Sequence, residues 1–208
     1  MSPPDSAGPT GQFGALILAA GSSRRFAAET GGENKLLARL GGRPLIRQVV
    51  EGVQAAVPGP VMVVTGYQAA RIEEALAGLD VAFVHAPDHG KGMAHSLKAG
   101  VAALCRRDRG LEAFFLCLGD MPFIDSGVLA EMMAVFRQTS PAPIVIPVYA
   151  GRRGHPVLFP CRLSAEFAGL AGDRGARPIL EAHGAEIVEI PGRGAGILRD
   201  LDRPSDFG

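Results

Sequence analysis

Residues 14–26 read GALILAAGSSRRF, and this stretch decides how the rest of the chain is interpreted. Residues 14–19 form a continuous apolar run of strand length, which is typical of parallel strands buried on both faces. A loop of small residues follows and ends in Arg24 and Arg25. Small residues let backbone N–H groups approach a phosphate, and a guanidinium group can bind two phosphate oxygens at once. The stretch therefore predicts a buried strand that leads into a phosphate-binding loop, whereas the alternative is a mobile strand-to-helix loop whose arginines are solvated.

The same apolar runs recur along the chain and alternate with amphipathic segments. Strands are predicted over residues 61–65, 81–84 and 113–118, and helices over residues 44–57, 69–77, 93–105 and 128–138. After residue 141 the pattern shifts to short strands at 144–148, 156–159 and 186–190, with helical stretches at 163–170 and 176–183. Strand–helix alternation with a glycine-containing first loop predicts an α/β fold, with a Rossmann-like, mostly parallel sheet flanked by helices.

Length and composition indicate one domain. A chain of 208 residues, with 47% hydrophobic and 20% charged residues, is ordinary for a globular protein of one domain. Residues 1–12 are rich in Pro, Gly and Ser and are predicted to be a flexible tail. Residues 13–208 are then a single domain, in which residues 13–140 bind the main ligand and residues 141–208 form an extension for a second substrate.

Charge and cysteine usage exclude several classes of protein. Basic and acidic residues number 21 each, so there is no overall basic field for nucleic acid. No apolar run reaches the roughly 20 residues that span a membrane. The three cysteines, Cys105, Cys117 and Cys161, form no metal-binding or disulfide pattern. A reducing, cytoplasmic location is therefore predicted.

A carboxylate follows the strand predicted at 113–118. Residues 113–122 read AFFLCLGDMP, so Asp120 stands at the carboxyl end of a buried strand, where open α/β sheets bind their ligands. Mg²⁺ takes oxygen ligands and often uses only one or two carboxylates, with substrate phosphates completing its shell. Asp125 is better placed than Asp120 to cap the next helix. Asp120 is therefore a candidate magnesium ligand, whereas the alternative is a turn or cap residue.

These segments resemble the molybdenum cofactor cytidylyltransferases, which belong to the nucleotidyltransferases. The resemblance rests on Leu18-Ala19-Ala20-Gly21-x-Ser23-x-Arg25, on Asn34-Lys35-Leu36-Leu37 and on Gly119-Asp120-Met121-Pro122. It implies that the CTP phosphates are held by a set of loop residues and one lysine, namely Gly21, Ser22, Ser23, Arg25 and Lys35. The predicted nucleotide-binding set also contains Leu18, Ala19, Ala20, Gly66 and Ser96, and the predicted catalytic set contains Arg25, Lys35 and Asp120.

Further segments support the same resemblance. Residues 90–100 read GKGMAHSLKAG, where Gly92 would open a helix facing the crevice, Ser96 is a candidate ligand, and Met93 and Leu97 are expected in the core. Residues 151–159 read GRRGHPVLF, and the resemblance assigns this turn to the acceptor side, with no proton-transfer role for His155. Asp173 belongs to an acceptor-side segment or caps the helix that begins after Gly175.

The carboxyl end supplies a possible second metal ligand. Residues 198–207 read LRDLDRPSDF, and in a strand Asp200 and Asp202 would project to one face. Asp202 is preferred as the second Mg²⁺ ligand, whereas the alternative is a solvated turn in which Ser205 or Asp206 caps a short terminal helix.

The resemblance implies transfer of CMP from CTP to the phosphate of molybdopterin, with release of pyrophosphate and a transient apo molybdenum hydroxylase as recipient of the product. Ala20 favours the cytidylyl over the guanylyl branch, which usually has Gly at this position. A guanylyl- or sugar-nucleotide transferase stays open as an alternative. So does a non-catalytic chaperone that binds the cofactor, because Ala27 replaces a glycine that is usual in the family.

Overall fold

The computed structural model describes residues 12–207. Its strands are β1 Gln12–Ala19, β2 Arg39–Leu40, β3 Arg43–Pro44, β4 Val61–Thr65, β5 Ala82–His85, β6 Leu111–Leu118, β7 Ile144–Tyr149, β8 Arg152–Arg153, β9 Val157–Pro160 and β10 Ile187–Pro191. Its α-helices are α1 Arg24–Thr30, α2 Leu45–Ala56, α3 Ala69–Ala75, α4 Met93–Arg107, α5 Ser126–Gln138 and α6 Arg177–Ala182. Short 3₁₀ helices span Lys35–Leu37, His89–Lys91, Cys161–Gly169, Gly184–Glu186, Ala195–Leu198 and Pro204–Phe207.

The described residues build one large sheet with the strand order β10-β7-β9-β6-β1-β4-β5, to which β8 adds as a partner of β7. Strands β6, β1, β4 and β5 pair in parallel, and so do β7 and β10. Strand β9 runs antiparallel to β6 and β7. The predicted α/β fold with a mostly parallel sheet flanked by helices is confirmed, whereas the antiparallel β9 has no counterpart in the sequence pattern.

Helices cover both faces of the sheet, which explains the continuous apolar runs of the strands. In β1, Ala15 and Ile17 point to a core filled by α2, α3 and α5, whereas Leu16 points to a core filled by α4 and α6. All three side chains are fully buried. Truncating Leu16 to Ala would cost about 2–5 kcal/mol, because the cavity left behind adds to the lost burial of the side chain.

Several local expectations are met and others are not. Helix α5 begins at Ser126 because the Asp125 carboxylate accepts a hydrogen bond from the Gly127 N–H at 2.7 Å, as predicted. The helix expected at 163–170 is instead a 3₁₀ segment, Cys161–Gly169. Gln12, assigned to the tail, already belongs to β1, and the rest of that predicted tail lies outside the described residues.

The extension beyond residue 141 shares the sheet with the first part of the chain. Its strand β9 runs antiparallel to β6, so the segment before β9 lies next to the carboxyl end of β6. Asp120 follows shortly after that end. The three cysteines are free thiols. Among residues 12–207, no helix is both long enough and apolar enough to cross a membrane.

Candidate active site

A cavity of about 960 Å³ lies at the carboxyl ends of β1 and β6, where the order of the strands brings the first loop next to Asp120. The predicted residues that line it are Leu18, Ala20, Gly21, Ser22, Ser23, Lys35, Ser96 and Asp120. Arg24 and Asp200, which the sequence analysis named beside Arg25 and Asp202, also line this cavity, as do Tyr67 and His89, which were assigned no role from the sequence.

The first loop is tied to the segment that carries Lys35. Ser23 has a left-handed backbone, with φ of 50°, and its hydroxyl donates to the Asn34 carboxamide oxygen at 3.1 Å. The same Asn34 oxygen accepts from the Leu36 N–H at 3.0 Å and so begins the 3₁₀ turn that contains Lys35. Asn34 is buried, and it therefore holds the first loop and the lysine in a defined relative position.

Lys35 bridges two of the predicted metal ligands. Its ammonium donates to Asp120 Oδ2 at 2.6 Å and to Asp202 Oδ1 at 2.5 Å. Burial disfavours the charged form of Lys35, but the two neighbouring carboxylates outweigh this effect and raise the pKa of Lys35 above its usual value. The lysine therefore stays protonated at neutral pH and can neutralise negative charge.

The carboxylates fit a divalent cation. Asp120, Asp200 and Asp202 each offer one oxygen within 4.8 Å of the other two. Asp120 Oδ1 is buried and has no hydrogen-bond partner within residues 12–207. A buried carboxylate oxygen without a partner is costly, and a hard cation with oxygen ligands would satisfy it. The donor set is therefore suited to Mg²⁺.

Residues 199–203 do not form the strand on which the pairing of Asp200 and Asp202 was argued. Both carboxylates reach Asp120 because Leu201 between them is fully buried and its N–H donates to the Asp120 carbonyl at 3.0 Å. The Asp206 carboxylate accepts from the Asp202 and Arg203 N–H groups, and these bonds lower the pKa of Asp206. Asp206, one of the two residues expected to cap the terminal helix, thus bonds to the backbone at the start of that helix, whereas the metal role of Asp202 stays a prediction.

A second cavity of about 660 Å³ adjoins the first and shares the side chains Leu18, Met93, Leu118 and Asp173 with it. Its remaining walls come from β6, β7, β9, the segment before β9 and the segment around α6. Three arginines surround it. Arg153 pairs with Glu189 at 2.7 Å and Arg174 with Glu181 at 2.8 Å, whereas Arg177 forms no ion pair among the described residues.

Comparisons with known proteins identify the family. The family model described as "MobA-like NTP transferase domain" matches residues 15–187, which include the first loop, Lys35 and Asp120. The chain belongs to this family. The molybdenum cofactor cytidylyltransferase of Escherichia coli strain K12 is 28% identical over 151 residues, which are 71% of this chain and 71% of that protein. The resemblance drawn from the sequence is therefore confirmed.

Solved structures agree with this family. A nucleotidyl transferase from Methanothermobacter thermautotroptrophicus is 25% identical, with a TM-score of 0.78 over 94% of both chains. The molybdopterin-guanine dinucleotide biosynthesis protein A from Archaeoglobus fulgidus is 19% identical, with a TM-score of 0.65 over 93% of this chain and 94% of that one, and shows the likeness of fold. The protein is thus an enzyme of the MobA-like nucleotidyltransferase family.

Some predicted residues of this MobA-like domain lie outside the large cavity. The side chain of Arg25 is 76% exposed, and its Nη1 lies 3.3 Å from Asp202 Oδ2 beside a smaller cavity. Arg24 lines the large cavity instead. Ala19 is buried in the core. Gly66 is not among the lining residues, and a Cβ there would lie 2.6 Å from the His89 ring, so close packing explains the glycine.

The start of α4 differs from expectation in two respects. Leu97 is in the core as predicted, but Met93 is 43% exposed and lines both cavities of the MobA-like domain. Asp173 does not cap the helix that follows it. Its Oδ1 accepts from the Met93 N–H at 2.9 Å, so the anion at this helix start is the chain's own carboxylate. The contact spans 80 residues of sequence, and local patterns therefore did not reveal it.

Proposed function

We propose that the protein transfers CMP from CTP to the phosphate of molybdopterin and releases pyrophosphate. The observation that carries this proposal is a cluster of charged residues beside two adjoining cavities. The cluster consists of Lys35, Asp120, Asp200 and Asp202. The first cavity is lined by the loop after β1, and the second is surrounded by arginines. The similarity to the cytidylyltransferase of Escherichia coli and the buried Ala20 in the nucleotide cavity support CTP as the donor.

The arrangement is suited to a direct transfer without a covalent enzyme intermediate. An oxygen of the acceptor phosphate forms a bond to the α-phosphorus of CTP, while the bond from that phosphorus to the bridging oxygen of pyrophosphate breaks. The electron pair leaves with pyrophosphate. Adjacent cavities hold the two substrates next to each other, so the residues need only orient them and neutralise charge.

The residues of the first loop and of the charged cluster then bind the triphosphate and neutralise its charge. Gly21 has open space at its Cα, so the loop backbone can approach the triphosphate closely. Arg24, in the lining of the large cavity, and Arg25, in the lining of the smaller cavity, place positive charge beside the loop. Lys35 donates hydrogen bonds to the charged oxygens of the departing pyrophosphate. Asp120, with Asp200 and Asp202, holds Mg²⁺, which when bound supplies electrostatic stabilisation of the phosphate oxygens.

Arg177 provides the free cation of the proposed acceptor cavity among the described residues, since Arg153 and Arg174 are already paired. A guanidinium group binds a phosphate through two parallel hydrogen bonds. The apolar walls formed by Leu116, Ile146 and Leu180 suit the flat ring system of a pterin. A cytoplasmic location and handover of the product to an apo molybdenum hydroxylase belong to the same proposal.

The test is pyrophosphate release by the purified protein with Mg²⁺, molybdopterin and, in separate reactions, CTP, GTP, ATP and UTP. We expect release with CTP alone. Release with GTP would assign the protein to the guanylyl branch. Binding of CTP without release would favour the cofactor chaperone, and no release with any nucleotide, while an active relative works in parallel, would contradict molybdopterin as the acceptor.

A further inference from the structure

Helix α1 carries Arg24 and Arg25, yet it has few stabilising features of its own. It spans only seven residues, Arg24–Thr30, and among the described residues no side chain caps its start. Its first turn contains these two arginines and no acidic residue, so their charges oppose the positive end of the helix dipole. A helix this short is marginal in water, and its stability must therefore come from tertiary contacts.

One side chain ties α1 to the rest of the protein. Phe26 is 3% exposed and is the buried residue of this helix. Its ring packs edge-to-face against the ring of Phe207, with the two centroids 5.4 Å apart. Phe207 in turn packs against the core that α2, α3 and α5 fill. Helix α1 is therefore linked to that core through a residue near the other end of the described chain.

Two ion pairs join α1 to the same part of the chain. Glu29 lies 3.7 Å from Arg203, and Arg25 Nη1 lies 3.3 Å from Asp202 Oδ2. All four side chains are exposed, so each pair contributes little stability by itself. The pairs stand on either side of Phe26 in the sequence of α1, and they define how the helix is turned while the ring contact supplies the buried surface.

The partner of α1 is the segment 200–207, which also carries the proposed metal ligand Asp202. This segment is itself firmly held. Leu201 is fully buried and donates its N–H to the Asp120 carbonyl at 3.0 Å. The Asp206 carboxylate accepts from the Asp202 N–H at 2.9 Å. The segment is thus a fixed support that determines where α1 lies relative to Asp120.

Other contacts of α1 do not replace this support. The hydrogen bond from Ser23 to Asn34 fixes the residue before the helix but not the direction of the helix. The Thr30 hydroxyl donates to the Phe26 carbonyl, within the helix. Among the described residues, the ion pairs, ring contacts and side-chain hydrogen bonds that leave α1 all lead to residues 202–207.

From these contacts we infer that Phe207 is a positioning residue for the nucleotide: by packing on Phe26 it keeps α1 in place and so holds Arg24 and Arg25 beside the triphosphate. This inference rests on the proposed function, because it assigns the large cavity to the nucleotide. When a binding-competent state is only partly populated, the apparent affinity falls by that fraction. Loss of the ring therefore weakens nucleotide binding, whereas the bound complex still reacts at its normal rate.

The first test separates binding from turnover. We expect Phe207→Ala to raise KM for CTP about tenfold, while kcat and KM for the acceptor stay within about twofold of wild type. Phe207→Leu keeps an apolar side chain against Phe26 and should raise KM for CTP less than about threefold. Phe83→Ala is the matched control, because Phe83 is an exposed phenylalanine on β5 that lines neither the large nor the second cavity.

A fall in kcat with an unchanged KM for CTP would overturn the inference, and so would equal effects of Phe207→Ala and Phe83→Ala. Thermal unfolding of each variant sets the assay temperature below its transition. A double-mutant cycle with Phe26→Ala then tests the ring contact itself. Because both substitutions remove the same contact, the double variant should have the same KM for CTP as Phe207→Ala. Effects that multiply would show that Phe207 acts elsewhere and would also overturn the inference.

A measurement without turnover separates this inference from the proposed function. Amide hydrogen exchange and the binding of inorganic pyrophosphate with Mg²⁺ are measured on the full chain. In Phe207→Ala we expect the amides of α1 to exchange about tenfold faster and those of α2 to be unchanged, with protection restored by saturating pyrophosphate. Weakened pyrophosphate binding in this variant, in a protein that does not use CTP, would contradict the proposed function alone. Unchanged exchange in α1, or an unchanged affinity for pyrophosphate, would overturn the inference.

Discussion

The two cavities of this protein use charge in different ways. In the proposed nucleotide cavity, Lys35 is only 14% exposed and contacts two carboxylates directly, so its charge interacts strongly with its neighbours. In the second cavity, Arg153 and Arg174 are 51% and 60% exposed and pair at the rim, where an ion pair contributes at most about 1 kcal/mol. The first cavity is suited to catalysis by charge, whereas the second is suited to recognition by shape and hydrogen bonds.

The largest effect is expected at Asp120. Replacing Asp120 by Ala removes the ligand of the proposed Mg²⁺ site whose Oδ1 is buried without a partner among the described residues, and loss of several kcal/mol of charge stabilisation lowers kcat roughly 10³-fold. Pyrophosphate release under saturating CTP and acceptor measures it. Asp125→Ala is the matched control, because Asp125 only caps α5, and its kcat should stay close to wild type. A fall of less than tenfold for Asp120→Ala would contradict the site.

Lys35→Met tests whether the charge at the centre of the nucleotide cavity matters. We expect kcat to fall about 10²-fold, because a donor aimed at the departing charge is lost. Mg²⁺ should raise the melting temperature of the variant more than that of the wild type, since the ammonium no longer competes for Asp120 and Asp202. Lys98→Met, on α4 outside the cavity lining, is the control. Equal stabilisation of Lys35→Met and wild type by Mg²⁺ would argue against a shared site.

Arg177→Ala tests the acceptor cavity alone. The loss of one charge-assisted contact to a phosphate should raise KM for the acceptor about tenfold and leave KM for CTP unchanged. Arg71→Ala removes an exposed arginine that bonds only to Gln68 in the described contacts, and it should change neither constant. A rise in KM for CTP instead would mean that the two cavities do not divide the substrates as proposed.

The smallest effects distinguish a local cap from a distant one. Asp125→Ala and Asp173→Ala each remove a carboxylate from a helix start, and each should lower the free energy of unfolding by about 1 kcal/mol. Urea denaturation measures both. Only Asp173→Ala should also raise KM for CTP, by about threefold, because α4 carries Ser96 into the nucleotide cavity. An unchanged KM for CTP would show that α4 keeps its position without this contact.

Patterns within short segments were the reliable part of the sequence analysis. The predicted strand at 61–65 coincides with β4, and the helix predicted at 44–57 agrees with α2 within one residue at each end. The loop after β1 and Asp120 after β6 were found because strand, loop and polar residue are contiguous. By contrast, Met93 was expected in the core as an apolar residue of an ordinary helix start, yet it lines the cavity and is exposed.

The amino-acid sequence by itself determined the α/β class, the loop after β1 and the carboxylate at the end of β6, because hydrophobic periodicity and loop chemistry act over a few neighbouring residues. Only the tertiary structure decided that Asp200 joins Asp120 and Asp202, that Asp173 caps α4, and that the segment before β9 lines the second cavity. Each of these contacts joins segments far apart in the chain. Strand order and burial decide such contacts, and no local pattern encodes them.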